Sequence, residues 1–395
     1  MCVTHAGSRP DRGLRPRPAR WLGVVVLASA PALIGAAMLT PAAPASAATA
    51  AGGWTAQTVP STGNNTLLTA VSARTGSDAW AVGEQFVGAG QAPAPPVAYH
   101  WTGSQWSLVS TPSLGVSASF SGVSASSATD AWAVGFSVLG HHQDSTLLEH
   151  WNGQAWSVDS AAEVTGYAAG LTSVADLSSS NAWAVGQGGS GPLLEHWNGS
   201  AWSPVALPDT GFTPGPGQSL SASSASDIWL AGTSVNPATG TTIAEALHYN
   251  GTTWSVVPMA QPGTNAPSIQ AVTAISPADA WAVGEDTGAT SAPGGSTLIE
   301  HWNGSGWSIV PSPTPGADPF LTGVAARGPD DVYAVGSNLP SVNGGADEGL
   351  ILRWNGSAWS VDADQANESL FGAGTVAGAS NEWAVGSGPL ILSHG

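Results

Sequence analysis

The fold is decided by two motifs, DAWAVG at residues 130–135 and HWNGQAW at residues 150–156, because versions of both recur along the chain. The aromatic residues of the first motif are Trp80, Trp132, Trp183, Trp229, Trp281, Tyr333 and Trp383. They are separated by steps of 52, 51, 46, 52, 52 and 50 residues. The second motif opens at His100, His150, His196, His248, His301 and, with arginine in the histidine place, Arg353. A fixed period of this size predicts a stacked or radial array.

Each copy has the pattern of four short strands. The predicted segments are rich in Val, Leu, Ile and Trp and are bounded by Gly, Ser, Pro and Asn, as β-strands are. Asn-Gly lies between the third and fourth segments, where both turn positions tolerate a positive φ. Seven such units predict an all-β fold, a seven-bladed β-propeller with four antiparallel strands per blade.

The two ends of the chain predict how the ring closes. After Trp383 the seventh copy stops at Gly395 without a fourth strand. The missing piece matches WTAQTVP at residues 54–60, and Trp54 precedes Trp80 by 26 residues, where later copies have 24 to 27. The N-terminal strand is therefore expected to complete the last blade, which removes the open sheet edges.

The N-terminus predicts export. Five arginines precede residue 21, an apolar run covers residues 21–39, and Ala45-Ser46-Ala47 is a small-residue cleavage site. This order is that of a secretory signal peptide, residues 1–47, followed by a short leader, 48–53, and the propeller, 54–395. The alternative is a retained membrane anchor over residues 21–39. After cleavage we expect an extracellular monomer with no membrane span.

Composition excludes some functions. Of 26 acids and eight arginines, Asp11 and five arginines precede the cleavage site, which leaves 25 acids, three arginines and no lysine. Nucleic-acid binding requires cations that neutralise phosphates, so it is not expected. The 18 tryptophans after Trp21 all fall on repeat positions and are expected to pack between blades.

At this point the chain resembles secreted bacterial propellers with WAVG and HWNG repeats, which are loosely similar to kelch and Asp-box propellers and to the central domain of galactose oxidase-like proteins. The kelch double glycine and the Asp-box aspartate are both missing. The resemblance implies a β-propeller fold and a secreted protein. It implies little about activity, because fold does not fix function.

The residues of this chain do not match the cofactor and catalytic sites of known enzymes with similar folds. The galactose oxidase cofactor requires a cysteine, and the mature chain has none. A sialidase requires an arginine triad, which Arg74, Arg327 and Arg353 do not match by repeat position. The repeated histidines lie one per blade, too far apart to share a metal. We expect each to pair with the acid or amide that opens DAWAVG. A pair of carboxylates suited to glycoside cleavage is not excluded.

The loops between second and third strands vary most in length and share one face with the links between blades, so this face is the expected binding surface. Residues on these loops that could contact a ligand are Phe86, His141, His142, Asp144, Glu285, Asp286, Asp347 and Glu348. No cofactor is expected, although calcium at the acidic pairs is an open alternative.

The leading hypothesis is a secreted, non-catalytic binding protein that recognises a glycan or another protein with this face. One alternative is an extracellular glycan-active hydrolase or lyase with a carboxylate pair at the central channel. Another is a structural cell-surface protein. The sequence does not distinguish a glycan from a protein partner.

Overall fold

The computed structural model describes residues 53–395 except 88–92, 141–142, 160–163, 167, 264–266, 289–294, 339–346, 366–367 and 377–380. The predicted signal peptide, residues 1–47, and most of the predicted leader, 48–53, lie outside the described residues. Seven antiparallel sheets follow one another around a ring, and each has four strands in blade order, two with a short extra strand. The predicted seven-bladed β-propeller is confirmed. Within the described part, no helix has the length and apolarity to cross a membrane.

The thirty strands of the described residues are numbered β1 to β30 in chain order and grouped here by their place in a blade. The first strands are β2 (Asn65–Thr75), β6 (Ala118–Ser127), β11 (Gly170–Ser178), β16 (Leu220–Ser224), β20 (Pro267–Ser276), β24 (Phe320–Gly328) and β28 (Leu370–Thr375). The second strands are β3 (Asp78–Phe86), β7 (Asp130–Gly140), β12 (Asn181–Gln187), β17 (Asp227–Val235), β21 (Asp279–Asp286), β25 (Asp331–Asn338) and β29 (Glu382–Gly386).

The third strands are β4 (Val97–Trp101), β8 (Gln143–Trp151), β13 (Pro192–Trp197), β18 (Thr242–Tyr249), β22 (Ser296–Trp302), β26 (Glu348–Trp354) and β30 (Ile391–His394). The fourth strands are β5 (Trp106–Val109), β9 (Trp156–Val158), β14 (Trp202–Pro204), β19 (Trp254–Pro258), β23 (Trp307–Ile309), β27 (Trp359–Gln365) and β1 (Thr55–Ala56). The two extra strands are β10 (Thr165–Gly166), paired with β8, and β15 (Thr213–Pro214), paired with β17.

Tryptophans fill the junctions between blades. Trp80 of blade 1 lies 4.9 Å from Trp151 and 5.0 Å from Trp156 of blade 2, measured between ring centroids. The same pattern recurs at most junctions, for example with Trp281 against Trp354 and Trp359. Both faces of the second strand are covered by neighbouring blades, which explains why AWAV is apolar without alternation.

The glycine that ends WAVG is required by a bulge in the first strand. In blade 1, Leu68 pairs with Gly83 and Ala70 with Val82, so Thr69 is an extra residue. The bulge brings the carbonyl oxygen of Leu67 against Cα of Gly83, where a Cβ would overlap it. The other six motif glycines also meet a backbone carbonyl oxygen in this way. It belongs to the first strand in four blades, to Ser369 just before β28 in blade 7, and to Thr213 of β15 in blade 4. Glycine therefore permits the close approach of the two strands.

The ring closes as the sequence predicts. Strand β1 pairs with β30, with Thr55 opposite Ser393 and Ala56 opposite Leu392. The indole of Trp54 is buried, and its Nε1 donates a hydrogen bond to Asp362 of blade 6 at 2.8 Å. The two ends of the chain thus share blade 7.

Candidate functional site

The repeated histidines form the predicted internal pairs. The Nε2 atom lies 2.6 to 2.9 Å from the acid or amide oxygen that opens DAWAVG of the same blade. The pairs are Asp78 with His100, Asp130 with His150, Asn181 with His196, Asp227 with His248, and Asp279 with His301. In blade 6, Nε of Arg353 donates to Asp331 at 2.9 Å. These residues tie the second strand to the third within blades 1 to 6.

The three arginines of the described residues are also engaged in ion pairs. Arg74 lies 2.6 Å from Asp78, and Arg327 lies 2.6 Å from Glu382 of the next blade. With Arg353 held by Asp331, each guanidinium already faces a carboxylate. Within the described ranges, the arginines therefore do not gather into a triad for an anionic ligand.

The centre of the ring is crossed by a segment that the sequence analysis missed. In blade 4, residues 215–219 stand opposite Ala231 alone, so the first strand carries an insertion instead of a one-residue bulge. Nε2 of Gln218 donates to the carbonyl of Val71 in blade 1 at 3.5 Å. The carbonyl of Gln218 accepts from the backbone N–H of Val272 in blade 5 at 2.9 Å. Residues 215–218 therefore occupy the central channel.

The inner strands carry one acid. The inner strands are the first strands of the blades. In these seven strands and residues 215–219, Asp176 is the one residue with a carboxylate side chain. Burial, aided by the nearby charge of Asp130, raises the pKa of Asp176 to about 7. A single carboxyl beside an occupied channel does not favour a catalytic pair at the axis, which requires two groups across a substrate space.

The residues predicted for the binding face lie at strand ends or beside them. Phe86 ends β3 and is exposed, while Asp347 is exposed just before β26. Asp144 and Glu348 are half-buried near the starts of β8 and β26, and Glu285 is half-buried near the end of β21.

The second and third strands extend beyond the motifs, which places several of these residues in strands and not in loops. Asp286 pairs with Ser296 across the hairpin and is buried, and its carboxylate accepts from the N–H of Gly288 at 3.2 Å. His141 and His142 lie outside the described residues. Calcium binding by the acidic pairs stays an untested alternative.

Phe86 borders a groove where blade 7 meets blade 1. This groove, called the seam groove, has a volume of about 560 Å³. Its lining residues are Val59, Ser61, Thr62, Asn64, Asn65, Thr66, Leu67, Phe86, Ser387, Gly388 and Pro389. The floor is fixed by a bridge between Leu67 of blade 1 and Ser387 of blade 7. Both chain ends therefore build the groove.

The seam groove presents neutral hydrogen-bonding groups beside one aromatic ring. Phe86 is 48% exposed, and its cross-strand neighbour Asn65 has an exposed amide that makes no hydrogen bond to the described residues. The hydroxyl of Thr62 lies 2.9 Å from that of Thr66. An aromatic face with amide and hydroxyl groups suits a ligand that has both apolar and hydroxyl-bearing surfaces.

Carboxylates lie along one end of the seam groove. Oγ of Ser387 donates to Glu368 at 2.9 Å and accepts from the backbone N–H of Ser369 at 3.0 Å. Oγ of Ser369 in turn donates to Asp347 of blade 6 at 3.4 Å. Two predicted residues, Phe86 and Asp347, thus lie on one strip that spans blades 6, 7 and 1.

Most groove residues could not be found from motifs. Asn64, Asn65 and Ser387 belong to no repeated pattern, and they approach one another only because the N-terminal strand completes blade 7. The sequence feature that could have indicated the groove is the predicted closure of the ring, because closure brings residues near both ends of the chain together.

Comparison with known proteins supports the fold. No family model matches the sequence, and no curated protein matches it. Among solved structures, YCF48 bound to D1 peptide has a TM-score of 0.53 at 13% identity, over 86% of this chain and 96% of that one. YCF48 from Cyanidioschyzon merolae has a TM-score of 0.53 at 14% identity, over 86% of this chain and 98% of that one.

A third similar structure is the polysaccharide lyase PL25 ulvan lyase bound to -[GlcA(1-4)Rha3S]-. It has a TM-score of 0.51 at 11% identity, over 84% of this chain and 93% of that one. At these identities the likeness shows a shared propeller architecture alone.

Proposed function

We propose that this chain is an exported, non-catalytic binding protein that recognises a neutral glycan in the seam groove. The observation that carries the proposal is the exposed ring of Phe86 next to the exposed amide of Asn65, which makes no hydrogen bond to the described residues, in a groove of about 560 Å³. That volume suits one or a few sugar rings, since small-ligand sites have volumes of roughly 300 to 1,000 Å³. Export rests on the sequence of residues 1–47.

Electrostatics favour a neutral glycan over an anionic one. The described residues that line the seam groove include no charged side chain, and the carboxylate of Glu368 lies next to it. The arginines of the described residues are held by acids elsewhere. A uronic acid or a sulfated sugar would meet a negative potential without a compensating cation. Carboxylates are good acceptors for sugar hydroxyls.

The similar structures favour neither a peptide nor a glycan as the ligand, since one is bound to a peptide and another to a saccharide. The groove itself favours the glycan. A protein partner commonly covers about 800 Å² of each surface, with an apolar centre. The seam groove is a small concave site with one exposed aromatic ring.

The enzyme alternative has less support. Residues 215–218 occupy the channel, and the first strands contribute the single acid Asp176. A glycan-active site at the axis would need a second carboxylate and space for the sugar. Glycan cleavage is therefore treated as an outcome of the test.

The test is a glycan array probed with purified residues 48–395, as wild type, Phe86→Ala and the control Leu108→Ala. Leu108 is 43% exposed on a fourth strand and does not line the seam groove. We expect binding to neutral oligosaccharides that falls at least tenfold in F86A and is unchanged in L108A. No glycan binding by folded protein, equal binding by F86A, or shortening of the bound glycan would overturn the proposal.

A further inference from the structure

The junction between blades 3 and 4 departs from the packing of the other junctions. Tyr249 stands where the second motif otherwise has tryptophan, and its ring lies 5.0 Å from Trp183. Trp254 is half-buried, whereas the six other fourth-strand tryptophans are 1 to 7% exposed. The ring centroids of Trp183 and Trp254 are 5.7 Å apart, further than in any equivalent Trp–Trp pair of the described residues.

The smaller tyrosine leaves a crevice that is open to solvent. It has a volume of about 530 Å³ and is lined by Trp183, Tyr249 and Trp254, by the turn at residues 252–253, and by the link at residues 205–208. We call it the aromatic crevice. It lies beside the Asn-Gly hairpin of blade 4, at the junction of blades 3 and 4.

The aromatic crevice is uncharged in a strongly acidic chain. Asn181 replaces the aspartate that opens DAWAVG in five other blades, and its amide oxygen lies 2.9 Å from Nε2 of His196. Burial lowers the pKa of His196, which disfavours the charged imidazole. The lining contains neither a carboxylate nor a guanidinium. A cationic ligand would therefore find no counter-charge there.

Polar groups lie at the rim of the crevice. The hydroxyl of Thr253 is exposed and makes no hydrogen bond to the described residues, while that of Thr252 donates to Asn250 at 2.8 Å. The walls are therefore flat and aromatic and the rim is hydroxylated. A pyranose ring has a complementary surface, since it carries C–H groups on its faces and hydroxyls around its edge.

We propose that the aromatic crevice is a second carbohydrate site, which takes one neutral hexopyranose unit against the adjacent rings of Tyr249 and Trp254, whose centroids are 5.4 Å apart. The site is independent of the seam groove, because it lies at the junction of blades 3 and 4 and shares no residue with it. A chain with both sites would hold two glycan segments at separate junctions of the ring.

The test is an NMR titration of the full propeller, residues 48–395, with methyl glycosides of glucose, galactose and mannose, observed at the indole N–H of Trp254. We expect saturable shifts with a Kd on the order of 1–10 mM, as suits a single sugar ring. Glucuronic acid is expected to give no shift, because the crevice contains no cation.

Two variants and one control make the result specific. Trp254→Ala removes a wall and Tyr249→Trp fills the crevice, so each should weaken binding at least tenfold, as followed at the indole N–H of Trp183. Phe86→Ala should leave these shifts unchanged, which separates this site from the seam groove.

The proposal is overturned by wild-type protein that gives no saturable shift, by W254A and Y249W variants that both bind normally, or by shifts that F86A abolishes. Concentration-dependent self-association that W254A removes would also overturn it, because the crevice would then hold a second copy of the chain. Circular dichroism spectra that match those of wild type establish that each variant is folded.

Discussion

The junction between blades 1 and 2 and the junction between blades 3 and 4 use the same repeat positions with different results. At the first, Trp80 is clamped by Trp151 and Trp156, which are 8% and 4% exposed. Asp78 holds His100 in place beneath the stacked ring of Trp80. Every position carries its usual residue, and the junction is closed.

At the second junction two of these positions have changed. Tyr249 replaces a tryptophan and Asn181 replaces an aspartate. Trp183 remains buried, but Trp254 becomes accessible and a crevice opens. The repeat residues thus explain stability, and departures from the repeat mark the places where a ligand can enter. Phe86 and the seam groove are a departure of the same kind at the ring closure.

The largest predicted difference is between Trp156→Ala and Trp254→Ala. Removing the buried Trp156 should lower the free energy of unfolding by about 3–5 kcal/mol, because the cavity cannot refill. Removing the half-buried Trp254 should cost roughly 1 kcal/mol. Midpoints of guanidinium unfolding at one pH measure both. Equal losses would show that the two junctions are packed alike.

A second difference is in the residue before the repeated histidine, Glu149 in blade 2 and Leu247 in blade 4. Glu149 is fully buried, and neither carboxyl oxygen has a hydrogen-bond partner among the described residues. Burial raises its pKa to about 8. Glu195 and Glu300 occupy the same position in blades 3 and 5, where burial raises their pKa values to about 7 and about 8.

The sign of the pH effect follows from these pKa values. Between pH 4.5 and about 8 the unfolded chain ionises these carboxyls while the folded chain keeps them protonated, so stability falls as pH rises through this window. Glu149→Gln should remove one such contribution. It should raise the free energy of unfolding at pH 8 by on the order of 4 kcal/mol and change little at pH 4.5. Thermal melts across pH 4–9 measure this.

The control for the pH prediction is Asp347→Asn, at an exposed residue. Its thermal melts should show the same pH dependence as those of wild type. A Glu149→Gln variant whose stability retains the wild-type pH dependence would contradict the assignment to Glu149.

A reciprocal exchange of one aromatic residue sharpens the comparison further. Tyr249→Trp should close the crevice and raise stability by about 0.5–1 kcal/mol, whereas Trp151→Tyr should open the junction between blades 1 and 2 and cost about as much. Quenching of tryptophan fluorescence by acrylamide should fall in the first variant and rise in the second. No change in quenching would mean that the tyrosine does not create the opening.

The smallest expected effect is that of Asn181→Asp. A carboxylate beside His196 should favour the charged imidazole and raise its pKa, with a gain in stability of about 0.5 kcal/mol below pH 6. NMR titration of the His196 ring follows this directly, with Asn381→Asp as a variant at the same repeat position of blade 7. An unchanged His196 pKa would show that the pair contributes no electrostatic coupling.

Much of the fold was predictable because the same sequence motifs recur in all seven blades. Blade number, strand order and closure by Trp54 all follow from the spacing of aromatic residues. The segment in the central channel was not predicted, because Trp202 and Trp229 are 27 residues apart, as in neighbouring repeats. Its signal was local: Gly215-Pro216-Gly217-Gln218 stands where other repeats have a first strand.

The candidate sites were less predictable. Phe86 could be placed on the loop face from its position in the repeat, but Asn65 and Ser387 meet only through closure of the ring. The tryptophans were expected to serve as filler, and Trp254 becomes accessible only because Tyr249, a residue on another strand, is too small to cover it. Such effects depend on packing between neighbours that periodicity does not encode.

The most direct test of glycan binding in the seam groove is hydrogen–deuterium exchange of residues 48–395 with and without a neutral oligosaccharide selected on the array. Protection is predicted in peptides that cover residues 61–67 and 387–389, and it should disappear in Phe86→Ala. Protection confined to other blades, or an array on which no neutral glycan binds the folded protein, would contradict the assignment.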